Sequence, residues 1–132
     1  MTTVYPPAGS PQPFVTICSD EFKVQTISMP SQYVDDTVTI SIPTVFQVGD
    51  TTGITVDLSQ VTATLAISTA EGVTPTVRIA LSAPLPAYFE ITPAMTTQLG
   101  VRNWYLEMKF DNADGRIKTV ASGYMTLIAD TV

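Results

Sequence analysis

From Thr37 to the end of the chain, apolar and polar residues alternate in one run after another, and a period of two is the signature of half-buried β-strands. Val38, Ile40 and Ile42 fall on one side of an extended backbone, with Thr37, Thr39 and Ser41 on the other. Successive strand side chains point to opposite faces, so this spacing buries one face and leaves the other in water. The pattern recurs in Ile54, Val56 and Leu58, and in Val61, Ala63, Leu65 and Ile67 with Thr62, Thr64 and Ala66 opposite. It recurs again in Val77, Ile79 and Leu81, in Tyr88, Phe89 and Ile91, and in Trp104, Leu106, Met108 and Phe110. Ile117 and Val120 carry a return strand. Gly123 is expected to break it, and Tyr124, Thr126 and Ile128 then oppose Met125 and Leu127. Pro43 should place the end of the first strand at an edge or a bulge.

Turn signals separate these runs. Gly49-Asp50-Thr51-Thr52-Gly53, Glu71-Gly72, the pair Pro84 and Pro86, and Asp111-Asn112-Ala113-Asp114-Gly115 all punctuate the alternation. About seven short strands with turns roughly every 8–12 residues predict an antiparallel β-sandwich. One helical segment interrupts them. Thr92 suits an N-cap, Pro93 the first helical position and Gly100 a left-handed C-terminus, which predicts about two turns over residues 93–99. Met95 and Leu99, four apart, share a face and should plug one end of the core.

The first 36 residues read differently. Pro6, Pro7, Pro11, Pro13 and Pro30 lie there, and proline removes a ladder donor, so residues 1–13 cannot form a central strand. Phe22 and Val24 are followed by Ile27 and Met29 with a one-residue slip, which predicts a bulge or bend near Gln25-Thr26. The expected organisation is an extended, proline-rich N-terminal arm with β character at 1–36, then the sandwich at 37–132. A proline-stiffened segment loses less entropy on docking than a flexible one, and its apolar tracts could add a strand to a neighbour's open sheet edge. Val4, Tyr5, Phe14, Val15, Ile17, Phe22 and Val24 are the candidate partner-binding residues. A disordered leader is the alternative.

Composition narrows the function. The chain has 132 residues, enough for one domain and a modest extension. Charged residues make up 14%, against roughly 25% in ordinary domains. Either part of the surface faces partner proteins, or the 21 threonines supply the solvated strand faces. The net charge of −6 and the scatter of Lys23, Arg78, Arg102, Lys109, Arg116 and Lys118 argue against nucleic acid as a partner. No basic n-region with an apolar stretch opens the chain and no window of about 20 apolar residues exists, so neither a secretory signal nor a membrane helix is expected.

Chemistry is sparse. There is no histidine, which removes Ser-His-Asp triads, Cys–His nucleophiles and histidine metal sites. The single cysteine, Cys18, lies in the run Phe14-Val15-Thr16-Ile17-Cys18 and reads as a small buried hydrophobe that no intrachain disulfide can use. Asp35-Asp36 and Asp111 with Asp114 are carboxylate pairs on expected turns. Glycosidase work needs two carboxyls facing across a cleft, roughly 5–9.5 Å apart, which sequence neighbours on a turn rarely achieve. The segment 111–115 lacks the alternating oxygens and closing Glu of a calcium loop, and reads as a hairpin turn. Trp104 belongs to the core face. Tyr88, Tyr105 and Tyr124 fit either the core or the surface, and an exposed row of them would mark a ligand or subunit surface. No enzyme activity, cofactor or small-molecule substrate is expected.

Several stretches together resemble a known group. Val56-Asp57-Leu58-Ser59-Gln60-Val61-Thr62-Ala63-Thr64-Leu65, Phe89-Glu90-Ile91-Thr92-Pro93-Ala94-Met95-Thr96-Thr97-Gln98-Leu99 and Trp104-Tyr105-Leu106-Glu107-Met108 follow one another in order, then Asp114-Gly115-Arg116-Ile117-Lys118-Thr119, Gly123 and Ala129-Asp130-Thr131. The set is similar to small phage immunoglobulin-like modules of tail, baseplate and fibre-attachment proteins, among them the N-terminal domain of the baseplate upper protein. Gln60 stands where those modules carry glycine. The resemblance spans residues 37–132 and leaves 1–36 outside. It implies an immunoglobulin-like sandwich, a scaffold or adaptor role in a virion assembled in the host cytoplasm, and other virion proteins and copies of itself as partners. A capsid decoration or head-fibre protein is the nearest alternative. A carbohydrate-binding sandwich for host recognition is the alternative of another class, and it requires two or three coplanar exposed aromatics.

Overall fold

The computed structural model describes residues 12–14, 21–112 and 115–129, which hold eleven strands and one helix. The strands before the helix are β1 (Gln12–Pro13), β2 (Gln25–Ile27), β3 (Gln32–Tyr33), β4 (Val38–Ser41), β5 (Val45–Val48), β6 (Thr51–Asp57), β7 (Val61–Ser68), β8 (Val77–Leu81) and β9 (Tyr88–Ile91). The helix α1 (Pro93–Leu99) leads into β10 (Arg102–Asn112) and β11 (Ile117–Ile128). The fold is all-β, and α1 is the one short helix that lies within the described residues.

The largest sheet runs β2-β11-β10-β7-β8, with β3 also on β11. Its backbone is the hairpin of β10 and β11, with β7 antiparallel to β10 and β8 antiparallel to β7. β4 pairs antiparallel with β9, and β5 with β6, in the facing layer. Immunoglobulin domains place strands B and E in one sheet and C, F and G in the other. In chain order β4, β7, β9, β10 and β11 take those places as B, C, E, F and G. The β5–β6 hairpin is inserted between B and C.

Alternation builds the core as expected. Leu65, Ile67, Leu106, Met108, Phe110, Met125 and Leu127 are fully buried from one layer, and Phe46, Phe89 and Ile91 from the other, with Val38 and Ile40 buried beside them. Trp104 is buried and its indole N–H donates to the Gly100 carbonyl (3.0 Å), so its polar group is satisfied. The Phe46 and Phe110 rings meet edge-on at 6.0 Å and join the layers.

The helix forms where the capping residues place it. The Thr92 hydroxyl accepts from the Met95 N–H (3.3 Å), Pro93 opens the first turn, and Leu99 is buried. Gly100 stops the helix with φ 83° but ψ 179°, an extended rather than left-handed exit that also favours glycine. Asp57 Oδ1 accepts from the Ser59 N–H (2.9 Å), and the Val61 N–H donates to the Leu58 carbonyl (3.1 Å). The turn into β7 therefore closes with Gln60 in place.

Four features depart from the sequence reading. Residues 45–48 form β5, which short length after Pro43 concealed. Thr51 to Gly53 already belong to β6, and the turn narrows to Gly49-Asp50. Gly123 does not break a strand: β11 is continuous, and its irregularity lies opposite Met108 and Lys109, where Val120 is the extra residue. Most consequentially, the described part of residues 1–36 is paired into both layers. The Lys23 N–H donates to Gln47 and the Gly49 N–H to Glu21, while Phe22 bridges Val48. Three residues later, Gln25 to Ile27 lie parallel to Ala121 to Gly123 of β11. The expected bend is a change of sheet at Val24.

Candidate interaction surface

The candidate partner-binding residues separate sharply. Phe14 and Phe22 are buried at 1% and 7% exposure and cannot present a docking face. Their rings sit 6.4 Å apart, Phe14 lies 5.4 Å from Phe110, and Phe22 lies 5.4 Å from Phe46. Together they close one end of the sandwich. A Phe at the border of a proline-rich tract has no periodic partner in sequence, so nothing in the pattern betrays that it fills a slot between two distant strands. Val24 is exposed. Val4, Tyr5, Val15 and Ile17 lie outside the described residues, as does Cys18.

The surface carries exposed apolar residues, of which the sequence reading had singled out Val24, Tyr88 and Tyr124. Ile117 (62% exposed) and Tyr124 (53%) lie on the outer face of the large sheet, and Tyr33, Val45, Val73, Tyr88 and Val101 are also exposed. Ile117 and Val73 share a groove of about 400 Å³ across β7, β8 and β10, walled by the loop at Gly72 and Pro75. Arg78, Tyr105, Glu107, Lys109 and Asp111 also line it.

Three polar groups of the groove engage one another. The Tyr105 hydroxyl donates to Glu107 Oε2 (3.3 Å), and the Lys109 ammonium lies 3.3 Å from Glu107 Oε1. Burial of Tyr105 pushes its phenol above the usual tyrosine range, and the neighbouring Glu107 charge adds to that. The phenol is therefore protonated at neutral pH and acts as a donor. The groove offers shape, apolar contact and mixed charge.

The tyrosines do not form a flat platform. Tyr105 is buried, Tyr124 is exposed, and their rings meet at 63° with centroids 5.5 Å apart. Tyr88 lies on β9, in the other layer. The coplanar aromatics that a sugar-binding sandwich needs are not assembled from these three.

Asp35 and Asp36 lie in a turn held by their backbone groups, and Asp111 lies at the end of β10. Asp35 has φ 71°, and its N–H donates to Thr96 Oγ1 (3.0 Å). The Asp36 carbonyl lies 3.0 Å from that same hydroxyl, and the Asp36 N–H donates to Tyr33. Two backbone N–H···O bonds, Asn112 to Arg116 and Gly115 to Asn112, close the β10–β11 hairpin. The Ser59 N–H holds the Asp57 carboxyl below the usual carboxylate range. Asp114 lies outside the described residues. Among the described residues no three Cys, Asp or Glu side chains gather where they could hold a metal ion, and no helix is long and apolar enough to cross a membrane.

No family model, curated protein or solved structure matches the chain.

Proposed function

We propose that this chain is a non-enzymatic structural module of a phage virion, a scaffold or adaptor in a tail, baseplate or fibre-attachment apparatus that holds neighbouring virion proteins and further copies of itself. The observation that carries the reading is the outer face of the large sheet. Val73 and Ile117 stand exposed in one groove, on a chain with only 14% charged residues. Clustered exposed apolar groups on a sparsely charged surface are what a protein contact requires. Tyr105, Glu107 and Lys109 of that groove are paired with one another, which suits a contact surface better than a reaction centre. The motif order of residues 37–132 supports the placement in a virion.

Immunogold labelling of purified particles encoded by the same genome tests the reading. Label at the tail or baseplate is the expected result. Label confined to the head would replace it with a capsid decoration role. Particles that lack the chain altogether would end it.

A further inference from the structure

We infer that the N-terminal strap, the described part of residues 1–36, is an exchangeable element: its seat on the sandwich accepts the same strap from a second copy of this chain. The inference rests on the proposed assembly role and names the contact through which copies join.

The seat is a built feature of the body. Gly123 lies under Ile27, and a Cβ there would strike the Ile27 carbonyl oxygen. A glycine inside a strand often marks such a close backbone approach. β11 would otherwise be the bare edge of the large sheet, and β2 and β3 cover it through five register pairs. At the far end of the strap, Phe22 enters the slot beside Phe46. The body is incomplete without these groups, whichever chain supplies them.

A crevice flanks β2, and the hinge is strained. β2 leaves a crevice of about 330 Å³ between itself and β4, lined by Thr26, Ile27, Ser28, Thr39, Ser41 and Pro43 among others. The strap joins the body through Val34-Asp35-Asp36-Thr37, where Asp35 holds a left-handed φ of 71°. A non-glycine residue carries a cost there that an extended hinge would release. The Thr96 hydroxyl, bonded to Asp35 and Asp36, ties the turn to the helix, and the Val34 and Asp36 N–H groups donate to Ile128 and Tyr33. Opening the hinge keeps every strap contact once a second copy supplies it, so exchange needs only a high local concentration, which an assembly provides.

The full chain with Cys18→Ser, Thr26→Cys and Ser122→Cys tests this, because residues 26 and 122 are register partners. Refolded dilute and oxidised, it should give the intrachain 26–122 bond. Refolded at high concentration, it should give covalent dimers whose peptide map shows 26–122 bonds between chains. The dimer fraction should rise several-fold with Asp35→Pro, which cannot adopt φ 71°, and fall with Asp35→Gly, which adopts it freely. Intrachain bonds alone at every concentration and in every hinge variant would overturn the inference, and so would dimers joined only through 26–26 or 122–122. Light scattering on Asp35→Pro without the added cysteines gives an independent reading, a dimer supporting exchange and a monomer opposing it. Exchange by a chain that particles lack would defeat the proposed function alone. Particles holding the chain with only intrachain bonds would defeat the exchange alone.

Discussion

The large sheet has two edges, and they are handled in opposite ways. At β11 the strap supplies β2 and β3, and the hydrogen-bonding groups of the edge are met by backbone from the same chain. At β8 no described strand pairs with the outer side, and Val77 to Leu81 end the sheet. A bare edge is a template for pairing with other chains, and proteins blunt it with short strands, prolines and charges. β8 has five residues, Pro75 before it, Pro84 after it and Arg78 within it. One edge is therefore covered at the cost of ordering a segment, and the other is left open but made unattractive. The contrast teaches that the described part of residues 1–36 stabilises the fold as well as serving any role in assembly.

The sharpest way to break that contrast is to remove the strap's anchor. Phe22→Ala takes a buried ring from the cluster with Phe14 and Phe46. Loss of a buried Phe costs about 3–5 kcal/mol, through lost transfer energy and the cavity left behind. Chemical denaturation should show a loss in that range. A loss below about 0.5 kcal/mol, as at ordinary surface sites, would return the strap to the status of a dispensable arm.

The seat can be spoiled instead of the anchor. Gly123→Ala places a methyl against the Ile27 carbonyl, and backbone cannot yield as a flexible side-chain end can. We expect a loss of about 1–3 kcal/mol, the range of an overpacked site. Hydrogen exchange should quicken at Gln25 to Ile27 and leave the amides shared by β7 and β10 protected. Uniform loss of protection across both would show that the strap and sheet unfold as one unit.

The latch at the hinge is a smaller contribution. Thr96→Val keeps the shape and removes the hydroxyl that accepts from Asp35. Leaving a half-buried N–H without its partner costs about 1–2 kcal/mol. Thermal unfolding measures it, and an unchanged midpoint would show that the turn holds without Thr96.

These sites also show what the sequence discloses. The inner faces of β4, β7, β9 and β10 were legible because each carries its own alternation, and burial follows parity. The helix was legible because Thr92, Pro93 and Gly100 act locally. The strap was not, because its two phenylalanines are buried by residues far along the chain. Phe22 meets Phe46, and Phe14 meets Phe110. The glycine at 123 reads as a breaker from sequence and is a seat in the fold, and the difference depends wholly on a segment about a hundred residues away. For the candidate surface the lesson is similar. Ile117 has the parity of a core residue until the bulge at Val120 shifts the register and turns it outward.

The open edge yields the smallest stability effect and the clearest change in behaviour. Arg78 is the one charge within β8, and its side chain is exposed on the outer face. Arg78→Val would raise the local β propensity and remove the charge that deters a second edge. The folding free energy should move by no more than about 0.5 kcal/mol, because the residue lies at the surface. The apparent mass by light scattering should nevertheless rise with concentration, while Arg78→Glu, which keeps a charge in the strand, should stay at the parent's mass. Equal association by both variants would mean that the short length and flanking prolines of β8, and not its charge, keep that edge apart. The covered edge at β11 would then differ from β8 only in having its pairing partner built in.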